Sequence, residues 1–192
     1  MNLMQVHEAI KERRAKRALD TTPIEKNVLN ELIDAIRFAP SCFNNQPWRI
    51  IIVSDKETLQ EVKRTLSKGN AWATRSPLIF VVASRPEDDC RLSDRRDYHL
   101  FSCGLAIGQM LLMATELKLI AHPIAGYDPI EIKKILKIPE EYIVITLVIC
   151  GYQGSDQSLL SPKQLEAELE RPERKPISEN FFSNTWGNPI TP

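Results

Sequence analysis

Residues 40–53 read P-S-C-F-N-N-Q-P-W-R-I-I-I-V, and this stretch carries the fold prediction. Its second half is an apolar, β-branched run, which indicates a buried strand over about residues 49–54. Its first half is rich in small polar side chains, and each amide group offers both a donor and an acceptor. Such a segment at the start of a rigid strand is typical of a ligand-binding loop. An ordinary loop with asparagine turns explains the same residues without any ligand.

The composition indicates a single globular domain. The chain has 192 residues, of which 43% are hydrophobic, and it carries 25 basic and 25 acidic side chains. A net charge of zero gives no general case for nucleic acid, so a local basic cluster needs a local explanation. We predict an α+β core over residues 1–154 and, in the same domain, an extended C-terminal tail over residues 155–192.

The cysteines and histidines show no metal-ligand spacing. None of the four cysteines forms a C-x-x-C pair, which argues against a zinc ribbon or a thioredoxin-like site. We therefore expect no metal, and we interpret Cys42 as a small packing residue. A reactive Cys42 is the weaker alternative, because no histidine lies near it in the sequence. Residues 1–11 lack the apolar core of a secretory signal, so we expect a reducing cytoplasm.

Hydrophobic periodicity predicts the order helix–helix–strand–helix–strand–helix–strand–helix–strand. Leu3, Val6 and Ile10 recur at helical spacing, and the same face would continue into Arg13 and Arg17. Capping boxes at residues 22–25 and 54–57 predict the starts of two further helices. The remaining predicted elements are strands at 78–84, 119–123 and 142–150 and helices at 98–117, 129–136 and 162–170.

Two predicted segments permit two interpretations each. Residues 100–115 carry no charge, yet they are shorter than the roughly 20 residues that a bilayer requires, so we predict a buried helix rather than a membrane span. Residues 86–97 are strongly charged and indicate an exposed loop, which could also line a pocket.

Two basic clusters lie far apart in the sequence. The first is R-R-A-K-R at residues 13–17, and the second comprises Arg171, Arg174 and Lys175. Arginine presents a planar fork of donors that suits phosphate, although a solvated helix end also explains the first cluster. A glycine turn at Gly126 follows a predicted strand. Together, the cations, the amide-rich loop and this turn could bind a phosphorylated heteroaromatic cofactor.

These residues resemble the flavin-dependent nitroreductase family. That family pairs an N-terminal R-R-S-x-R-like cluster with P-S-x-x-N-x-Q-P-W some twenty-odd residues later. The second motif is complete here, from Pro40 to Trp48. The first departs at Ala15, where the family usually has serine, so one hydrogen bond to the flavin would be missing.

The resemblance implies a fold, a partner and a reaction. The fold is α+β, with a central mixed or antiparallel sheet flanked by helices and a C-terminal tail that embraces the partner subunit. The assembly is a homodimer with FMN at its interface. The reaction passes hydride from NADH or NADPH through the flavin to a nitroaromatic, quinone or related acceptor. No side chain need act as a strong acid or base, so no catalytic residue is assigned.

The resemblance also implies which residues contact the cofactor. Basic residues of both clusters would bind the phosphate, the loop would reach the flavin of the other subunit, and the glycine turn would face its N5 edge. Asn70 and Trp72 resemble a G-N-x-W-A segment of compact family members, to which no role is assigned. The cofactor-binding residues are Arg13, Arg14, Ala15, Arg17, Pro40, Ser41, Cys42, Asn44, Gln46, Ala125, Gly126 and Arg174.

Other functions remain open from the sequence. The same fold could perform other flavin chemistry, such as dehalogenation or dehydrogenation. It could also be a flavin-binding dimer without turnover. A nucleic-acid binder is the most distant alternative, because neither a base-stacking motif nor the overall charge supports it. We therefore expect neither nucleic acid nor a membrane among the partners.

Overall fold

A four-stranded sheet forms the centre of the computed structural model, which describes residues 6–190. Its strands run in the spatial order β1-β2-β4-β3, and every neighbouring pair is antiparallel. The predicted α+β class with a central sheet is therefore confirmed. Of the two sheet types predicted, mixed or antiparallel, the described strands form the antiparallel one. The strands are β1 (Arg49–Val53), β2 (Leu78–Ser84), β3 (Leu119–Ile124) and β4 (Ile143–Tyr152).

Helices cover both faces of this sheet, and the helices and strands follow the predicted order as far as α6; α7 was not predicted. The side chain of Asp55 caps α3 by accepting from the backbone N–H groups of Glu57 and Thr58, so the predicted capping box at residues 54–57 is wrong by one residue. Asp128 caps α5, as predicted. The helices are α1 (Glu8–Glu12), α2 (Lys26–Arg37), α3 (Lys56–Arg64), α4 (Tyr98–Glu116), α5 (Pro129–Leu136), α6 (Pro162–Leu169) and α7 (Ile177–Asn180).

The sheet is buried on both faces because its side chains alternate between two cores. From β2, Ile79 and Val81 pack into the core on the side of α3 and α5, whereas Phe80 and Val82 pack against α2 and α4. All seven residues of β2 are buried. This explains why β2 is an uninterrupted apolar run in the sequence rather than an alternating one.

Two helix boundaries differ from the predictions. Helix α1 ends at Glu12, and Arg13 has ψ of 122°, so the arginine cluster lies on extended chain and not on a helical face. Helix α2 begins at Lys26 instead of residue 23, because Thr22 bonds to the side chain of Asp20 and caps no helix. Leu3, part of the first predicted helix, lies outside the described residues.

Helix α4 buries one face and exposes the other. Its buried residues, such as Met110 and Ala114, pack against β2, β3 and α2. Its opposite face includes Phe101, which is 56% exposed, and Gly104, where a Cβ would meet no atom within 4 Å. Among residues 6–190, α4 is the one helix long and apolar enough to cross a membrane by length and composition. Its packing on the sheet makes it a core helix with an uncovered apolar face.

Strands β1 and β3 are the two edges of the sheet, with β2 and β4 between them. Adjacent strands lie about 4.8 Å apart, so the edges are separated by roughly 14 Å. The polar loop at residues 40–48 precedes β1, whereas the Gly126 turn follows β3. One subunit therefore presents these two features at opposite edges.

His122 on β3 is buried in the neutral form. Its ring lies 4.7 Å from the Trp72 ring, and its Nδ1 lies 3.0 Å from the carbonyl oxygen of Lys16. Burial lowers the pKa of His122 to about 4; the Lys16 carbonyl opposes this shift, and Arg17 and Arg13 add to it.

The low pKa of His122 predicts acid destabilisation. Between pH 6.5 and about 4, the unfolded chain binds a proton that the folded chain excludes. The free energy of unfolding should therefore fall with decreasing pH, by up to about 1.4 kcal/mol per pH unit. Urea unfolding at pH 7 and pH 5 measures this slope. His122→Gln should reduce it, and an equal slope in both proteins would contradict the assignment.

Candidate cofactor site

The two basic clusters converge in space. A cleft of about 280 Å³ is lined by residues from both ends of the chain, and we call it the arginine cleft. It brings together four of the predicted cofactor residues from the N-terminal cluster with the predicted Arg174 of the tail. Its lining residues are Arg13, Arg14, Ala15, Arg17, Ala167, Arg171, Pro172 and Arg174.

Reciprocal hydrogen bonds from arginines to backbone carbonyls hold the two segments together. The guanidinium of Arg14 donates to the carbonyls of Ala167 at 2.8 Å and Leu169 at 3.1 Å. Arg171 donates in the opposite direction, to the carbonyls of Lys11 and Arg13. Bonds with a charged donor are stronger than neutral ones, so they can fasten a short helix to an extended segment.

Glu168 of α6 completes this junction. Its side chain is 7% exposed, and its Oε1 accepts the backbone N–H of Arg17 at 2.5 Å. Sequence reasoning missed both Glu168 and the clamping role of Arg171, because the partner in each case is a backbone group more than 150 residues away.

The arginine cleft concentrates like charge. Burial lowers the pKa of Arg13, and repulsion from Arg171 and Arg174 lowers it further. Arginine remains charged at neutral pH even so, and the repulsion persists. A bound phosphate would relieve it, because its oxygens accept from several guanidinium groups at once.

The Gly126 turn is packed closely, so a side chain there would displace the Ser67 and Asn70 side chains. A Cβ at Gly126 would lie 2.5 Å from Ser67 Oγ and 2.6 Å from Asn70 Nδ2. The carbonyl of Gly126 accepts from the Ser67 N–H at 3.0 Å and from Asn70 Nδ2 at 2.9 Å. Asn70, for which the sequence suggested no role, thus holds the turn that follows β3.

Aromatic packing connects the arginine cleft to this turn. The guanidinium carbon of Arg17 lies 6.0 Å from the Trp72 ring centroid, and the Trp72 ring packs at a tilt against the His122 ring. From His122, β3 leads directly to Ala125 and Gly126. The predicted phosphate residues and the predicted ring-edge residues therefore lie along one edge of the sheet.

The polar loop of residues 40–48 lies at the other edge and is held by its own hydrogen bonds. Ser41 Oγ accepts the Gln46 N–H at 2.9 Å, and Gln46 Nε2 donates to the Asn44 carbonyl at 3.2 Å. Ser84 Oγ donates to the carbonyl of Pro47 at 2.9 Å and joins the loop to β2. Within one subunit, the structure does not bring Pro40, Ser41, Cys42, Asn44 or Gln46 to the arginine cleft.

Cys42 forms a disulfide with Cys90, which contradicts its interpretation as a simple packing residue. The two cysteines are 48 residues apart, and no local spacing indicated the pair. Cys103 and Cys150 are free and buried. The disulfide ties the polar loop to the charged segment that follows β2.

Asp88 anchors the same charged segment. Its side chain is 8% exposed and pairs with Arg49 at 2.9 Å and Arg85 at 2.7 Å. The Tyr142 hydroxyl donates a third contact at 3.1 Å. Burial opposes ionisation of Asp88, but these partners outweigh it and lower the pKa of its carboxyl. The charged segment is thus fastened at its start rather than freely solvated.

A larger cavity, of about 640 Å³, lies elsewhere on the chain. Its lining includes Lys56, Lys63 and Arg75 and none of the predicted cofactor residues. Volume alone therefore does not identify the site, and the convergence of the arginines is the more specific feature.

Comparison with known sequences identifies the family. The sequence model of the Nitroreductase family matches residues 10–152, which is about three quarters of the chain. The chain belongs to the nitroreductase family. The resemblance noted from the two motifs is therefore confirmed.

Relatives and solved structures agree with this nitroreductase assignment. A Methanothermobacter thermautotrophicus protein with the provisional name NADH dehydrogenase/NAD(P)H nitroreductase is 27% identical over 172 residues, covering 86% of this chain and 87% of its own. A Bacillus subtilis protein named FMN reductase [NAD(P)H] is 23% identical, covering 83% of this chain and 70% of its own. A crystal structure described as an oxidoreductase containing FMN superposes with a TM-score of 0.83 at 27% identity, covering 98% and 96% of the two chains.

Removing the Arg14 guanidinium should loosen α6. Arg14→Met keeps the length of the side chain but deletes its donors to the Ala167 and Leu169 carbonyls. We expect faster hydrogen exchange over residues 162–174 and a loss of about 1 kcal/mol of local stability. Arg37→Met, which breaks only an exposed pair with Asp34, is the matched control. Unchanged exchange in Arg14→Met would show that α6 is held by other contacts.

Proposed function

We propose that this nitroreductase-family protein is an FMN-dependent oxidoreductase that passes hydride from NADH or NADPH to a nitroaromatic, quinone or related acceptor. The arginine cleft carries the proposal, because cations from both chain ends are packed together and repel one another. FMN supplies the matching anion through its phosphate. The names of the relatives support the same cofactor and co-substrate.

The residues of this chain would bind and orient the cofactor. Arg13, Arg17 and Arg174 would hold the phosphate, with Arg14 partly engaged by α6. Ala125 and Gly126 would face the reactive edge of the ring, on a turn kept rigid by Asn70. When bound, the flavin would supply the redox chemistry by taking up hydride from the nicotinamide and reducing the acceptor. The protein then needs no acid–base pair of its own.

Ala15 lines the cleft without a polar side chain. A serine there would add a hydroxyl, and its absence should cost on the order of 1 kcal/mol of flavin binding. The charges of the neighbouring arginines should dominate affinity, so flavin binding should persist.

The active unit in this proposal is a homodimer in which each site uses both copies. The polar loop and the arginine cleft lie at opposite edges of one sheet, so a second copy can bring them together. The uncovered apolar face of α4 supports such an interface, since Leu100 and Phe101 are 40% and 56% exposed. The tail residue Trp186 is 92% exposed and would pack on the partner. We place the dimer in the cytoplasm, without nucleic acid or membrane as partners.

Two other functions remain distinguishable by experiment. The same dimer could perform another flavin reaction, such as dehalogenation or dehydrogenation, or bind flavin without turnover. Rapid bleaching of bound flavin by NADH or NADPH, followed by turnover of a nitroaromatic or quinone, supports the reductase. Flavin that neither nicotinamide reduces would favour the non-catalytic dimer.

Arg13→Ala and Arg174→Ala should each weaken FMN binding. Loss of one charge-assisted contact costs about 1.5–3 kcal/mol, which raises the Kd about 10- to 150-fold. The visible absorbance of the purified protein, followed by titration with FMN, measures the effect. Arg37→Ala removes the same charge on α2, away from the cleft, and should bind FMN normally. Normal affinity in both cleft variants would contradict the phosphate assignment.

A charge on the exposed face of α4 should prevent dimerisation. Gly104 faces open space in the single subunit, so Gly104→Arg should leave its fold intact while blocking the approach of a second copy. We expect a monomer in sedimentation velocity, with most of the bound FMN lost. Glu61→Arg on the exposed surface of α3 is the control and should remain dimeric. A flavin-loaded monomer would contradict the shared site.

A further inference from the structure

The Cys42–Cys90 disulfide joins two segments whose roles differ. Cys42 lies in the polar loop before β1, and Cys90 lies in the charged segment after β2. Both cysteines are partly exposed, unlike the buried Cys103 and Cys150. Disulfides that small thiols can reach are the ones that exchange most readily.

The loop that Cys42 anchors has an unfavourable backbone. Phe43, Asn44 and Gln46 have φ of 46°, 59° and 49°, in the left-handed region. Asparagine tolerates this region, whereas Phe43 and Gln46 adopt it at a cost in free energy. Phe43 is 92% exposed, so in the single subunit its side chain contributes little packing in return. The loop therefore depends on external attachments to keep this conformation.

Those attachments meet at residues 89–90. Besides the disulfide, Asn45 Nδ2 donates to Asp89 Oδ1 at 3.3 Å and contacts Cys90 Sγ at 3.7 Å. The N–H of Cys90 donates to the same Asp89 oxygen at 2.8 Å. The Cys42–Cys90 disulfide is thus the strongest of a few contacts that join the polar loop to the charged segment, and we call this group of contacts the joint at residues 89–90.

The environment of Asp89 favours a second, reduced state of Cys42 and Cys90. It is 7% exposed, and its Oδ2 has no hydrogen-bond partner among the described residues. A carboxylate oxygen of Asp89 lies within 4.8 Å of both sulfurs. A disulfide has no S–H to donate, whereas a reduced Cys42 or Cys90 has one, and the Asp89 carboxylate is an acceptor beside it. The oxidised state fastens the loop, and the reduced state adds a donor next to the carboxylate.

A cleft gives small molecules access to Cys90. Its volume is about 300 Å³, and it is lined by Cys90 together with Arg91, Arg95 and Arg96. Arg91 and Arg96 pair with acidic neighbours on the surface. Because these two cations are paired and the Asp89 carboxylate disfavours a second negative charge beside it, the cleft contributes access to Cys90 rather than a stabilised thiolate.

We propose that Cys42 and Cys90 form a thiol–disulfide exchange site for small-molecule disulfides and thiols, and that its state sets the order of the polar loop. In the oxidising direction, the Cys90 thiolate attacks a disulfide RSSR and releases one RS⁻. The Cys42 thiolate then attacks the Cys90 sulfur of the mixed disulfide and releases the second RS⁻. Two protein thiols are oxidised, one RSSR is reduced to two thiols, and the protons pass to the released thiolates.

The consequence for the cofactor rests on the proposed function. In that function the polar loop contacts the flavin of the partner subunit. The loop is already ordered in the oxidised protein, whereas in the reduced protein it becomes ordered only when the flavin binds. Pre-organisation of this kind increases affinity without adding a contact. The reduced protein should therefore bind FMN about tenfold more weakly.

The experiment measures thiols, loop order and FMN affinity on the full-length protein. The protein is equilibrated in buffers of graded oxidised and reduced glutathione, quenched with acid, alkylated in denaturant so that the buried Cys103 and Cys150 also react, and weighed intact. We expect two alkylated cysteines in oxidising buffer and four in reducing buffer, with a reversible transition. In the reduced state, hydrogen exchange of residues 40–48 should quicken, and the Kd for FMN should rise about tenfold.

Cys90→Ser is the matched variant, since Cys90 is outside the proposed flavin contacts. It cannot form the Cys42–Cys90 bond, so it should resemble the reduced wild-type protein in hydrogen exchange of the loop and in FMN affinity. Oxidised glutathione can form only a mixed disulfide at Cys42 of this variant, so it should not restore the values of the oxidised wild-type protein. Four alkylated cysteines under every condition, or zinc bound at Cys42, Asp89 and Cys90 in place of the disulfide, would overturn the proposal. Unchanged hydrogen exchange of residues 40–48 after reduction would also overturn the proposal.

Hydrogen exchange of the polar loop can be measured without flavin, so the experiment distinguishes a failure of this proposal from a failure of the proposed function. A protein that binds no FMN in either state, yet shows the thiol transition and the change at residues 40–48, would contradict the proposed function alone. A protein that binds FMN equally in both states, with an unchanged loop, would contradict the exchange site alone.

Discussion

The organising constraint of this molecule is the crowding of arginines from both chain ends into one small cleft. Such a cluster opposes its own formation, because like charges repel. The chain overcomes this by using two of the same arginines as clamps: Arg14 donates to carbonyls of α6, and Arg171 donates to carbonyls of the N-terminal segment. The other guanidinium groups are thereby held in place, and all of them line the same cleft. An anion with several acceptor oxygens is the natural complement to such an arrangement.

The position of this cleft follows from the sheet. Strand β3 is an edge strand, and its buried His122 and the neighbouring Trp72 connect the arginines to the Gly126 turn along that edge. The loop with the amide side chains lies beyond β1, at the other edge. An antiparallel sheet of four strands cannot bring its two edges together without closing, and this one stays open. The proposed homodimer follows from this separation, since a second copy can bring the loop of one subunit to the cleft of the other.

The loop itself shows how an exposed, strained segment can be kept in one shape. Three residues with positive φ are held between Ser41, Ser84 and the joint at residues 89–90. Asp88, paired with Arg49 and Arg85, fastens the segment on the other side of that joint. A charged stretch that looks like a solvated loop in the sequence is therefore part of the support for the polar loop.

The sequence by itself determined the order of the elements that form the core, the α+β class and the family, because these depend on local patterns: β-branched runs, caps such as Asp128, and two contiguous motifs. The sequence also indicated which arginines form the cleft. The contacts that hold these arginines in place became visible only in the tertiary structure. The carbonyl partners of Arg14 and Arg171, the Glu168 contact, the Asn70 clamp on Gly126 and the Cys42–Cys90 bond all join residues far apart in the chain. Backbone acceptors carry no sequence signature, and pairing between distant cysteines depends on the path of the chain between them, so local patterns could not reveal these contacts.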